Sequence, residues 1–174
     1  MAVAGGMHDT IIVCGVEKMT DRAPGDVTNG LARAADGELE AAQGLSFVAI
    51  NALLMQRYMY EFGWKKKDFA QFAVNAHLNA AGNPNAMFHH IVTPEDFEKA
   101  KMIAAPINLL DSSPMADGAA AVVITADPLA REFAEKPIRI KASSAATDSL
   151  ALAERRDILT LDAAKKSALK AYQI

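Results

Sequence analysis

An α/β fold is what this sequence predicts, on three observations. Two uncharged apolar runs, 10–14 and 119–125, have the length of strands. Two long segments, 46–62 and 64–81, repeat their apolar residues at helical spacing. A third amphipathic stretch, 162–172, lies near the C-terminal end. Runs of this kind with no polar alternation read as strands buried on both faces, although the run at 119–125 is short enough to be buried helix instead.

Taken in order, Met1 to Gly6 reads as the tail of a helix stopped by a glycine pair, and 10–14 as a buried strand. Residues 20–44 carry Pro24, Gly25, Asn29, Gly30, Gly37 and Gly44 and lack a steady period. They predict a long loop with a helical turn near Leu31 to Ala35. The helix over 46–62 turns Phe47, Ile50, Leu54 and Tyr58 to one face, widened by Met55, Met59 and Phe62, and Gly63 ends it. The helix over 64–81 carries a stripe of Phe69, Phe72, Ala73, Ala76 and Ala80 and stops at Gly82-Asn83-Pro84.

Thr93-Pro94-Glu95-Asp96 is a helix start, with a capping hydroxyl, proline in the first turn and acids facing the positive end of the dipole. Residues 102–110 are extended. Asp111 to Gly118 is turn chemistry, and it feeds a strand that begins with three alanines, whose small side chains let a ligand or another backbone approach. Asp127-Pro128 caps a short helix. Residues 137–142 alternate like a strand, and 143–158 are irregular.

Half of the 174 residues are hydrophobic and 22% are charged, with a net charge of −3. That balance excludes a nucleic-acid footprint or a polybasic membrane patch. No apolar stretch approaches the roughly 20 residues of a membrane span. With no secretory leader and one cysteine, a cytoplasmic location is expected.

Cys14 is the single thiol. It lies mid-strand among Ile and Val, where a free cysteine behaves as a small hydrophobe, and neither a helix N-terminus nor a cation adjoins it. Burial and inertness are therefore expected of it. His77, His89 and His90 have no carboxylate or cysteine at ligand spacing, and His77 reads as a hydrogen-bonded structural histidine. No P-loop or dinucleotide fingerprint is present.

Three motifs carry a resemblance. Ser112-Ser113-Pro114-Met115-Ala116-Asp117-Gly118-Ala119-Ala120-Ala121 resembles the SxxxDGAAA segment of thiolases. Val13-Cys14-Gly15-Val16-Glu17-Lys18-Met19 resembles their GxEKM strand end. Asn75-Ala76-His77-Leu78-Asn79, followed by Asn83-Pro84-Asn85-Ala86, resembles the helix and turn of archaeal and sterol-carrier-protein-2-like thiolases.

The resemblance implies a thiolase-like α/β fold in part. Residues 1–19 and 111–135 would belong to the N-terminal half, 20–110 to the loop domain, and 136–174 to the start of the C-terminal half. It implies acyl transfer between acyl-CoA molecules, as acetoacetyl-CoA synthesis or thiolysis, with coenzyme A thioesters as substrates and no permanently bound cofactor or metal. Such enzymes use a cysteine nucleophile, a histidine and a second cysteine. None of the three has a counterpart here, so no catalytic residue is assigned and the chain alone is expected to be inactive. Ser113 matches the serine that lies along the pantetheine arm of coenzyme A, and Gly118 and Ala119 match the strand entry next to it, although Pro114 stands where many members carry Gly. A homo-oligomer is expected, and hydroxymethylglutaryl-CoA synthase is a candidate partner. The rival is a non-catalytic thiolase-like docking subunit. Strands 10–14 and 119–125 would lack family neighbours, so exposed apolar faces and association are expected.

Overall fold

The computed structural model describes residues 1–173. Strand β1 (Thr10–Glu17) is followed by helices α1 (Pro24–Ala32), α2 (Phe47–Phe62), α3 (Ala70–Ala81) and α4 (Pro94–Lys99). Then come β2 (Met102–Ala104), β3 (Ile107–Asn108), β4 (Gly118–Thr125), α5 (Ala130–Phe133) and α6 (Asp162–Tyr172). The chain forms two units. The first comprises residues 1–20, 117–148 and 161–174, the second 21–116 and 149–160.

The first unit is built on an antiparallel ribbon of β1 and β4, in register from Thr10↔Thr125 to Glu17↔Gly118. One end is closed by a hydrogen bond between the Thr10 and Thr125 hydroxyls at 2.8 Å and by Ala126 N donating to Asp9 O at 2.8 Å. Burial on both faces was the expectation; the ribbon instead lies open. Ile12 is 72% exposed and Val16 77%, and Val13, Val122 and Val123 are exposed too. The physical reason is that β1 and β4 form a two-stranded sheet among the described residues, with no third strand alongside. The exposed apolar faces expected for these strands are thus present. Residues 1–6 form turns rather than a helix end, and 137–142 form no strand. Alternation alone cannot hold a strand without a partner; here Ile138 and Ile140 are exposed. The short helix expected at Asp127-Pro128 forms, as a 3₁₀ turn Asp127–Leu129 leading into α5, but Ala126 rather than Asp127 is at its N-cap. The Asp127 carboxylate, in the first turn, pairs with Arg139 at 2.7 and 2.9 Å.

The second unit has a buried centre. Phe97 is fully buried against Ala70 and Ala73, with Phe69 and Leu110 packed around it. α2 starts where Ser46 accepts a hydrogen bond from Ala49 N and stops at Gly63, whose φ of 68° suits a residue without a Cβ. Its buried position is Ala52 rather than Phe47, which is exposed. On α3 the buried residues are Ala70 and Ala73, whereas Phe72 faces out. A short 3₁₀ turn, Lys66–Phe69, precedes that helix. Thr93 and Asp96 exchange hydrogen bonds in a capping box at the head of α4. Residues 24–32, expected to be loop, are helix α1, with Pro24 in the first turn. β2 and β3 form a hairpin through a cis Ala105–Pro106 bond.

Segment 149–160 joins this unit by way of a buried carboxylate. Glu40, 6% exposed, accepts hydrogen bonds from Leu152 N at 2.7 Å and Asp36 N at 2.9 Å, and Ala151 is fully buried.

Candidate functional site

The two motifs expected to matter most, the end of β1 and the start of β4, meet at Asp117. Antiparallel pairing puts Glu17 opposite Gly118, so the residues after β1 run past the residue before β4. Asp117 Oδ1 accepts from Met19 N at 2.8 Å and Thr20 N at 3.0 Å, and Oδ2 accepts from the Thr20 hydroxyl at 2.6 Å. Lys18 Nζ stands 3.5 Å away. The hydrogen bonds from Thr20 hydroxyl, Thr20 N and Met19 N hold this carboxyl far below the usual carboxylate range, and Lys18 adds to the effect. Asp117 was not among the expected site residues. An Asp-Gly pair reads as turn chemistry, and the donors that reveal its role lie nearly a hundred positions upstream.

Gly118 and Ala119 open β4 and are exposed; a Cβ built on Gly118 would meet nothing within 4 Å. Ser113 is exposed in the stretch before it. Two concavities, of about 660 Å³ around Asp127, Arg131 and Arg139 and about 500 Å³ around Thr28, Arg33 and Ser46, are lined by none of these three residues.

Cys14 corrects the sequence reading. It is exposed, not buried, because nothing covers the ribbon face that carries it. Its ladder partner is Ala121, and the neighbouring pairs on that face are Ile12–Val123 and Val16–Ala119, so the ladder sets no cation beside the thiol. His77, as expected, is hydrogen-bonded: its Nδ1 lies 3.0 Å from His90 O. Its ring stacks with Phe88 at 6.3 Å and lies 5.0 Å from the His90 ring. Among the described residues, no group of three or more His, Cys, Asp or Glu is placed to hold a metal ion.

Asn108 organises the approach to the motif within the second unit. It is fully buried; its Nδ2 donates to Phe97 O at 2.8 Å, and its Oδ1 accepts from Leu110 N at 2.8 Å and Asp111 N at 3.2 Å. Asp111 returns a hydrogen bond by accepting from Asn108 N at 2.9 Å. Desolvation nonetheless pushes the Asp111 carboxyl upward, against the opposing pull of that bond and of Lys66.

The mix of helices and strands is that of a thiolase-like α/β fold in part. A family model described as "Thiolase, N-terminal domain" matches residues 1–127. The acetyl-CoA acetyltransferase of Methanothermobacter thermautotrophicus is 44% identical over 174 residues, which is 100% of this chain and 45% of that protein. The acetyl-CoA acetyltransferase of Methanocaldococcus jannaschii is 41% identical, covering 99% of this chain and 44% of that protein. A solved structure titled "Ltp2-ChsH2(DUF35) aldolase" superimposes with a TM-score of 0.76 at 24% identity, over 99% of this chain and 46% of that one. The chain belongs to the thiolase family. It spans a little under half the length of the curated acetyltransferases it matches. Among the described residues, no helix is long and apolar enough to cross a membrane.

Proposed function

We propose that this chain is the central part of a thiolase-type acyltransferase that moves acyl groups between coenzyme A thioesters, by acetoacetyl-CoA synthesis or its thiolytic reversal. One observation carries the reading: 44% identity to an acetyl-CoA acetyltransferase along the whole of the 174 residues, with both motif strands included. The Asp117 junction supports it, since that carboxylate holds the two motifs together and leaves open space beside Gly118. Ser113 is the residue proposed to lie along the thioester's pantetheine arm, with Gly118 and Ala119 at the strand entry beside it. The nucleophile is not proposed within these residues. Acyl transfer through an enzyme thioester needs an activated thiolate, and Cys14 sits on a plain apolar ribbon face.

The test replaces the matched stretch of the Methanothermobacter enzyme with these 174 residues and assays acetoacetyl-CoA thiolysis, with a circular-dichroism melt to establish folding. Turnover is expected from the chimera and from its Cys14→Ala form, and none from the 174 residues alone. A folded chimera that turns over nothing refutes the proposal. Turnover by the short chain that disappears in Cys14→Ala would make Cys14 the nucleophile.

Assembly with a partner subunit is a second proposal. The aldolase that shares this fold carries a two-component name, and the exposed ribbon faces supply apolar area for association. Light scattering on the active chimera, alone and mixed with hydroxymethylglutaryl-CoA synthase, separates a homo-oligomer from a mixed complex.

A further inference from the structure

We propose that Asp117 is a positioning residue for coenzyme A thioester binding: by tying the end of β1 to the start of β4, it sets where the Gly118–Ala119 backbone stands. The inference rests on the acyltransferase reading above.

The ribbon's two ends are secured differently. At the Thr10 end, hydroxyl and backbone bonds reach across to Thr125 and Ala126. At the Gly118 end the ladder finishes at Glu17↔Gly118, and terminal ladder pairs fray when nothing lies beyond them. Here the Asp117 carboxylate lies beyond them. It takes two backbone N–H groups and one hydroxyl from Met19 and Thr20, so both carboxylate oxygens are occupied. Thr20 is the last residue of the first unit before the chain leaves it, and Asp117 is the first on the chain's return. One side chain therefore clasps the outgoing and incoming strands at the point where each would otherwise be free to move. The backbone it steadies is the part with room beside it, because a Cβ on Gly118 would touch nothing within 4 Å. A short acidic side chain meets the geometric demand: an alanine offers no acceptor, whereas an asparagine keeps Oδ1 for the two amides and lets the Thr20 hydroxyl turn round to accept.

A clasp that served stability alone would lower the melting temperature and leave substrate affinity untouched. A positioning role predicts a split in the kinetic constants. In the active chimera, Asp117→Ala should raise KM for acetoacetyl-CoA by about tenfold with kcat changed by no more than about twofold, the pattern of lost ground-state binding. Asp117→Asn should restore KM to within about threefold of the parent. In the 174-residue chain, the amides of Met19 and Thr20 should exchange with solvent faster in Asp117→Ala than in Asp117→Asn. The inference is overturned if Asp117→Ala keeps the parental KM, if Asp117→Asn is as impaired as Asp117→Ala, or if the two amides exchange at the same rate in both variants. An unsubstituted chimera that folds without turnover instead removes the functional reading, and this role falls with it.

Discussion

The ribbon of β1 and β4 and the cluster around Phe97 solve the problem of staying folded in opposite ways. The ribbon keeps most of its apolar side chains exposed and depends on a backbone ladder secured at both ends by polar bonds. The Phe97 cluster excludes water, and its one fully buried polar side chain, Asn108, is bonded at both its amide nitrogen and its oxygen. The difference shows where each tolerates change. A ribbon open on its faces loses little from a smaller side chain, whereas a closed cluster loses both burial and the bonds that burial protects.

The sharpest way to break this comparison is a pair of truncations. Phe97→Ala should cost about 3–5 kcal/mol in urea unfolding, since it empties a fully buried site. Val123→Ala on the open ribbon should cost no more than about 0.5 kcal/mol. Equal losses would mean that the ribbon is covered in solution.

Asn108→Ala comes next. It leaves Phe97 O, Leu110 N and Asp111 N without that side chain, and about 2–3 kcal/mol should be lost in the same assay. Ser46→Ala removes the acceptor at the head of α2 and should cost about 1 kcal/mol.

The smallest effect concerns pH, and here the two regions should part in sign. Asp117 has a folded pKa below its unfolded value. Its contribution is present above the ordinary carboxylate range and fades only as pH falls through the much lower folded value. Asp111 has a folded pKa above its unfolded value. Its ionisation therefore weighs against folding at neutral pH, and acidification through that raised pKa relieves the penalty. Following resolved amide resonances from pH 7 to pH 4 should show Met19 and Thr20 unchanged and Leu110 better protected. Early loss of protection at Met19 and Thr20 would contradict the assignment of their partner.

Much of this was legible in the sequence wherever local chemistry decides. Thr93-Pro94 with Asp96 specifies its own helix start, and Ser46 and Gly63 bracket α2. The motif residues located the strand pair and the family. What could not be read depends on distant partners. Helix α1 lacks a capping side chain and contains Gly25 and Gly30, so propensity argued against it. The apolar character of 10–14 suggested burial, yet burial requires a neighbouring layer that a strand's own residues cannot specify. Helical spacing turned Phe47 and Phe72 inward along with Ala73; Ala73 is buried as expected, but Ala52 and Ala70 take the other buried positions while both phenylalanines face out. Ser113, Gly118 and Ala119 are exposed, and their contact with a thioester is a proposal for the kinetic tests above. Asp117 escaped notice because its three donors come from Met19 and Thr20.

The bond from Leu152 N to Glu40 spans 112 positions, and it bears on how the protein is made. A ribosome delivers Glu40 long before Leu152. During that interval a carboxylate destined for the interior has only Asp36 N to accept from, and the place that Ala151 will fill stands empty. The second unit therefore cannot reach its final state as its first ninety-odd residues emerge; it must wait, partly open, for a strand of chain that arrives only after β4 has been synthesised. Contacts of such long sequence separation slow folding and prolong exposure of unfinished surfaces. Synthesis of this chain thus contains a built-in delay, and a nascent polypeptide halted between residues 116 and 149 should be the form most readily bound by chaperones.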